Sequence, residues 1–161
     1  MTADTQQAQA PPARVPVGFT TRIVLVGGGR FIHDPAGELA QIAGLRDRFD
    51  AIEDLVGWFP DTPGRWYLRE GLSPVLGARE LALAASFGDA IAIHPTPAAW
   101  VAAGGEGVCI LDWRCSLAGC FEGVTAITTG HLEPGVAREI EKRLKRNFWR
   151  GLPRIGGRRG R

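Results

Sequence analysis

Short apolar runs that stop at a polar residue and a turn recur along the chain. Each of three runs ends at one such residue: 65–69 at Glu70, 90–93 at His94 and 108–111 at Asp112. Their length and their content of β-branched and aromatic residues predict strands, with helix-like stretches between them. In an α/β sheet the carboxyl ends of parallel strands meet at one edge, so these polar side chains are predicted to share a rim.

Three further apolar segments also predict strands. Residues 20–26 form a β-branched run that breaks at the glycine run 27–29, and residues 52–59 end at a turn rich in proline and glycine. Residues 124–129 form another short run, which ends at Gly130. We therefore expect strands on both sides of the central part of the chain.

Helices are predicted between these strands from the spacing of apolar residues. Residues 38–49 carry them at helical intervals, and a helix over 74–87 is predicted with Ser73 as its cap and Pro74 in its first turn. A short helix is predicted to begin at Thr96. Strands and helices that alternate in this way are typical of α/β proteins.

A last helix is predicted to begin at Pro134. Its apolar residues Val136, Ile140, Leu144 and Phe148 recur at every fourth position. Such a stripe predicts one face packed on the body of the protein, with basic residues on the opposite face.

A chain of 161 residues fits one domain with a core of its own. The predicted fold class is a single three-layer-like α/β domain with a mostly parallel central sheet of about five strands, a basic C-terminal helix and disordered termini. The predicted division is a disordered leader over 1–18, the α/β domain over 19–150 and a basic flexible tail over 151–161.

Composition narrows the class of protein. Apolar residues make up 45% of the chain and charged residues 22%, which is typical of a soluble globular protein. No apolar stretch approaches the roughly eighteen residues of a membrane-spanning helix, and the N-terminal segment lacks the pattern of a secretory signal. Cys109, Cys115 and Cys120 form an odd set, which favours reduced thiols. We therefore expect a cytoplasmic protein with no membrane partner.

The net charge of +2 conceals a strong asymmetry. Residues 142–161 hold nine Lys or Arg and no acid, which leaves residues 1–141 with a formal charge of −7. A basic end of this kind attracts the phosphates of DNA or RNA, or serves only as a solvated face. The residues predicted to bind nucleic acid are Arg114, Lys142, Arg143, Lys145, Arg146, Trp149, Arg150, Arg158 and Arg159.

The pair Glu70 and Asp112 is the strongest candidate for chemistry. Two carboxylates at neighbouring strand ends supply hard oxygen ligands for Mg²⁺, which orients phosphates for transfer or cleavage. Both residues are predicted as metal ligands and as catalytic residues, and Mg²⁺ is the one cofactor that they suggest. The alternative is structural, since carboxylates at strand ends also cap helices and accept loop hydrogen bonds.

Residues 66–119 resemble the Toprim domain of primases and topoisomerases, in which a strand-ending Glu-Gly precedes a strand ending in Asp-x-Asp. Glu70-Gly71 takes the glutamate position and Asp112 the first aspartate, which implies a magnesium-dependent nucleic-acid site. Position 114 is arginine in place of the second carboxylate. That change favours direct binding of a phosphate over binding of a divalent cation. Residues 54–112 also resemble proteins of bacterial prophages and plasmids, which implies a mobile-element setting.

Two weaker candidates compete with structural interpretations. The glycine run 27–29 is able to present backbone amides to a phosphate, or it forms a tight turn. Cys115 and Cys120 have a spacing that reaches one zinc ion with His131, but a tetrahedral site needs a fourth ligand. A disulfide between them, or a cysteine nucleophile with His94 or His131 as its base, is the alternative.

Two functional hypotheses follow. The first is a nucleic-acid-associated domain of a mobile element, Toprim-like with a degenerate acidic site, that binds rather than catalyses. Any reaction would be magnesium-dependent phosphoryl transfer or phosphodiester chemistry. The second is a non-catalytic interaction protein whose acidic body and basic tail serve protein partners or self-association.

Overall fold

The computed structural model of the protein describes residues 18–147 and 154–156. The strands are β1 (Gly18–Val26), β2 (Arg30–His33), β3 (Glu38–Arg46), β4 (Ile52–Trp58), β5 (Trp66–Leu68), β6 (Val75–Leu76), β7 (Ala90–His94), β8 (Val108–Ile110), β9 (Ala126–Thr128) and β10 (Arg154–Gly156). The helices are α1 (Ala78–Phe87), α2 (Pro97–Ala102), α3 (Leu117–Cys120) and α4 (Pro134–Asn147). Residues 1–17, most of the predicted leader, lie outside this description.

The strands form two sheets. The first five close into a barrel in the order β1-β2-β5-β4-β3, and the second sheet has the order β10-β9-β7-β8-β6. In the second sheet β7 is parallel to β8 and β9, β10 is parallel to β9, and β6 is antiparallel to β8. The predicted single three-layer-like α/β domain around a mostly parallel central sheet is therefore wrong, because a closed mixed barrel precedes a second, mixed sheet.

The predicted helix over residues 38–49 is in fact strand β3 and the turn that follows it. Ala40 and Ile42 pack inside the barrel with Ile23 and Phe31. Beyond Ile42 the other face of the strand is buried as well, because Ala43 packs between the barrel and the second sheet. Buried Ile42 and Leu45 on opposite faces, together with the exposed Leu39 and Phe49, give the apolar spacing that predicted a helix.

The barrel and the second sheet share a hydrophobic core. The outer faces of β3 and β4 contribute Ala43, Leu45, Val56 and Trp58, and the facing side contributes Leu76, Trp100, Cys109 and Leu111. Trp66 adds a polar tie, since its Nε1 donates a hydrogen bond to the carbonyl oxygen of Leu111 at 3.2 Å. Continuous burial of this kind makes the position of one sheet dependent on the other.

The opposite face of the second sheet is covered by α1, α3 and α4. Leu81 of α1, Leu117 of α3 and Ile140 of α4 belong to one buried cluster with strand residues such as Ile93 and Ile127. Ile140 and Leu144 are fully buried. The apolar stripe predicted for the last helix is confirmed at Ile140 and Leu144, whereas Val136 is 37% exposed and Phe148 lies outside the described residues.

Local signals predicted several boundaries and missed others. Thr96 caps α2 as expected, with its Oγ1 accepting a hydrogen bond from the amide of Ala99. Helix α1 begins at Ala78 rather than at Pro74, because Val75 and Leu76 pair with β8. Strand β10 lies within the end that was predicted to be flexible, and the rest of 148–161 lies outside the described residues.

The glycine run 27–29 forms the turn of an antiparallel hairpin. Val26 pairs with Arg30 across it, and Gly28 and Gly29 have φ values of 77° and 73°. A positive φ at consecutive turn positions favours glycine. Since β2 follows the turn directly, no helix N-terminus stands behind these amides, and the tight-turn interpretation fits the structure.

The Asp54 carboxylate fixes the chain where it leaves the barrel. Asp54 is 3% exposed and lies on the buried outer face of β4. Its Oδ1 accepts hydrogen bonds from the amides of Leu55 and Glu70 at 2.7 and 2.8 Å, and its Oδ2 from those of Gly71 and Leu72 at 2.6 and 2.9 Å. A buried carboxylate with four amide donors is well compensated.

A positive φ favours glycine in the middle of this bonded segment. Gly71 has a φ of 73°, and a Cβ atom there would lie 2.9 Å from Nη2 of Arg30. The Glu70-Gly71 pair therefore forms a turn that presents its amides to Asp54.

Replacing Asp54 by alanine is expected to destabilise the fold by about 3 kcal/mol or more, because several amides lose a charged acceptor. Urea unfolding followed by circular dichroism measures the loss. Asp47→Ala is the matched control: Asp47 accepts from the amides of Phe49 and Ala51 in an exposed turn, and its removal is expected to cost about 1 kcal/mol. Equal losses in the two variants would contradict this account of Asp54.

Candidate functional site

Glu70 follows β5, which belongs to the barrel. Its backbone amide bonds to Asp54, while its side chain is 58% exposed and lies 3.6 Å from the guanidinium of Arg69. An exposed ion pair between sequence neighbours holds its partners only weakly. Glu70 therefore contributes to the turn through its backbone amide, while its carboxylate faces solvent.

Asp112 follows β8 in the second sheet, and its carboxylate is bound by Arg114. Oδ1 accepts from the backbone amide of Arg114 at 2.9 Å and from its Nε at 3.0 Å, and Oδ2 accepts from Nη2 at 3.1 Å. The side-chain hydrogen bonds lower the pKa of Asp112, and the backbone hydrogen bond lowers it further. This paired geometry uses both carboxylate oxygens.

The predicted common rim for Glu70 and Asp112 rests on a wrong premise. Glu70 ends a strand of the barrel and Asp112 ends a strand of the second sheet, so the two are not carboxyl ends of neighbouring strands. Residues 18–147 and 154–156 contain no group of three or more His, Cys, Asp or Glu able to hold a metal ion.

This donor set does not fit Mg²⁺, which requires near-octahedral oxygen ligands without a competing cation. Arg114 places a guanidinium on the oxygens of Asp112 that the metal would need. The metal and catalytic roles of Glu70 and Asp112 remain predictions without support from these contacts.

The carboxyl ends of β7 and β9 bring two histidines together. His94 ends β7, and His131 follows β9; their rings stack with centroids 5.5 Å apart and planes inclined by 14°. Nε2 of His94 lies 2.8 Å from the carbonyl oxygen of Glu106. His94 is 8% exposed, so the arrangement is buried on one side and open at His131.

Burial is the main cause of a lowered pKa for His94. The backbone hydrogen bond to Glu106 acts in the opposite direction, and the neighbouring His131 lowers the pKa again. A neutral His94 is therefore favoured in the folded protein. Sequence reasoning placed His94 at a strand end but missed its stacking on His131, because the two residues are 37 positions apart in a chain without a shared motif.

Helix α4 is anchored to the loop after β8 through Arg143. Its Nη1 donates a hydrogen bond to the carbonyl oxygen of Trp113, its guanidinium carbon lies 5.6 Å from the centre of the Trp113 ring, and its Nε lies 2.8 Å from Glu139. Arg143 was predicted to bind nucleic acid, but its described contacts are intramolecular.

Two other predicted contact residues are available on the surface. Arg114 is 91% exposed even while it binds Asp112, and Lys142 is exposed on α4. The remaining predicted contacts lie outside the described side chains: Lys145, Arg146, Trp149, Arg150, Arg158 and Arg159.

The three cysteines are free thiols in two settings. Cys109 is buried in the core shared by the two sheets, and burial raises its pKa to about 12. Cys115 and Cys120 are half-buried, with their sulfurs 3.6 Å apart. Because His131 stacks on His94 and the described residues offer no group of three metal ligands, the zinc interpretation gains no support.

Asp54 is the polar residue that sequence reasoning missed. The sequence carried one signal for it. Asp54, Val56 and Trp58 are spaced by two, so Asp54 lies on the same strand face as two apolar residues. A carboxylate at a buried strand position requires several donors, which points to a nearby turn with free amides.

Comparison with family models, with curated proteins and with solved structures found no match to this chain. None of the helices within residues 18–147 combines the length and the apolar character that a bilayer crossing requires.

Replacing Arg114 by glutamine is expected to raise the pKa of Asp112 toward the ordinary carboxyl range, because the charged donor is lost. Arg114→Lys should raise it less, since the charge stays but the planar pair of donors is lost. Carboxyl ¹³C shifts in an NMR titration report the change. An unchanged pKa in Arg114→Gln would show that another group holds the carboxylate.

Stability is expected to fall as the pH drops below about 6.5, the ordinary histidine pKa, and through the lower pKa of folded His94. In that range the unfolded chain binds the proton that the folded chain excludes. His94→Gln should flatten this part of the profile of unfolding free energy against pH. Identical slopes in the wild type and the variant would show that His94 does not control acid sensitivity.

Proposed function

We propose that the protein is a nucleic-acid-associated binding protein of a mobile element, with no catalytic role for its degenerate acidic residues. The observation that carries this proposal is the charge asymmetry: nine basic residues and no acid over 142–161, against a formal charge of −7 on the rest. Clustered cations of this kind bind phosphates and release counterions.

The anchoring of α4 supports the proposal. Ile140 and Leu144 bury one face of the helix, and Arg143 holds it to Trp113, so the start of the basic segment has a fixed position on the body. Because the first cations of the segment lie on an anchored helix, less conformational entropy is lost when they bind a partner. Lys142 is exposed at this point.

The fate of the acids also supports binding over catalysis. Both oxygens of Asp112, one of the two predicted metal ligands, accept hydrogen bonds from the Arg114 guanidinium, which competes with a divalent cation. Arg114 stands at the Toprim-like position where that family has a carboxylate, and its side chain is 91% exposed beside its ion pair with Asp112. A direct contact with phosphate is the chemistry that a guanidinium supplies best.

A second candidate function is self-association or binding of a protein partner. Val24 and Ile32 pair across β1 and β2 on the outside of the barrel, where they are 37% and 50% exposed, and Leu39 is 54% exposed. Exposed apolar side chains on adjacent strands are typical of contact surfaces. Light scattering without nucleic acid distinguishes this function from the first.

Fluorescence anisotropy with labelled single-stranded and duplex oligonucleotides tests the proposal. Between 50 and 200 mM salt, affinity should fall by about 10³-fold or more if six or more phosphates are contacted. Replacing four tail cations by glutamine should weaken binding and reduce the salt slope by about 3 to 4. These four are Lys142, Lys145, Arg146 and Arg150.

The matched control removes the same charge from the body of the protein by replacing Arg48, Arg65, Arg69 and Arg79 with glutamine. All four side chains are exposed. This control variant should keep the slope of the wild type. Absence of binding, binding that is independent of salt, or equal losses in the two variants would contradict the proposal.

A further inference from the structure

Cys115 and Cys120 form a close pair of thiols outside the residues considered for binding. Cys115 lies in the loop after β8, and Cys120 is the last residue of α3. Their sulfurs are 3.6 Å apart, both residues are half-buried, and neither is in a disulfide. A covalent S–S bond of about 2.05 Å needs an approach of roughly 1.5 Å.

The local backbone permits that approach. The segment between the two cysteines is a short turn, capped by Ser116, whose Oγ accepts from the amide of Gly119 at 3.4 Å. The amide of Cys115 bonds to the carbonyl oxygen of Asp112 at 3.2 Å, which is a long contact. A four-residue helix with weak capping bonds adjusts more easily than a strand within a sheet.

We propose that Cys115 and Cys120 form a reversible intramolecular disulfide with a low-molecular-weight disulfide, such as oxidised glutathione, as the oxidant. This inference is independent of nucleic-acid binding. It requires only the two thiols and the oxidant.

The reaction is a pair of thiol–disulfide exchanges. The Cys115 sulfur, as thiolate, attacks one sulfur of the oxidant; the S–S bond of the oxidant breaks, and the first glutathione leaves and takes up a proton. Cys120 then loses its proton and attacks Cys115 of the mixed disulfide, releasing the second glutathione. Two protein thiols are oxidised by two electrons, and one glutathione disulfide is reduced to two thiols.

Cys115, which lies in the loop after β8, is assigned the first attack, because Cys120 is held in α3 and burial opposes ionisation of its thiol. Burial, and next the neighbouring Cys115, raise the pKa of Cys120 to about 12. A thiol that resists ionisation is a poor attacker of an external disulfide, but it reacts within the mixed disulfide through proximity.

Closure would tie the loop after β8 to α3. Trp113 lies two residues before Cys115 and contacts Arg143 of α4, so the bond would restrict the segment that carries this contact. Oxidation should therefore change the fluorescence of Trp113, measured as the part of the fluorescence change that is absent in Trp113→Phe.

The test equilibrates the full chain with mixtures of reduced and oxidised glutathione, quenches it with acid, and counts free thiols by maleimide labelling in denaturant. We expect the count to fall from three to one, with Cys109 as the remaining thiol. Cys109→Ser is the matched control, and its count should fall from two to none. Three free thiols in every mixture, or a covalent dimer on a non-reducing gel, would overturn the proposal.

Two single variants test the order of attack by mass spectrometry. Cys120→Ser should trap one glutathione on Cys115, because the second step is blocked. Cys115→Ser should stay unmodified over the same time. Capture of glutathione by Cys115→Ser alone would overturn the assignment of the first attack.

Discussion

The hydrogen bonds between the Asp54 carboxylate and the amides of residues 70–72 are the constraint on which the architecture depends. The chain leaves the barrel at this point and must enter the second sheet against the outer faces of β3 and β4. By accepting four amides, one buried side chain fixes both the exit direction and the depth of the turn. The shared core contains residues from both sides of this turn, such as Trp58 before it and Leu76 after it.

Acidic and basic residues are distributed unevenly along this protein. Asp54 accepts hydrogen bonds from backbone amides and Asp112 pairs with Arg114, so both carboxylates have structural partners within the chain. The cations concentrate over residues 142–161, and the first of them lie on α4, which Ile140 and Leu144 hold against the sheet. This charge asymmetry is the feature on which the proposed binding of polyanions rests.

Local patterns predicted most strands of the protein but not their arrangement. The runs ending at Glu70 and Asp112 are strands, and Thr96 caps a helix, because each depends on residues close in sequence. The barrel depends on pairing between distant strands. Apolar residues on both faces of β3 gave this segment the apolar spacing of a helix. The metal-binding and catalytic roles predicted for Glu70 and Asp112 assumed that their strands belong to one sheet. Residues close in sequence do not determine which strands share a sheet.

The barrel closes between β2 and β5, where backbone pairing is sparse. Between β2 and β5 the ladder contains the single pair Arg30 and Leu68. The backbone amide of Leu68 donates a hydrogen bond to the carbonyl oxygen of Gly29 at 3.2 Å. Burial of Phe31 against Ile23 and Ile42 does the rest. Apolar contact is less directional than a ladder of hydrogen bonds, so the seam between β2 and β5 is the part of the barrel that backbone pairing constrains least.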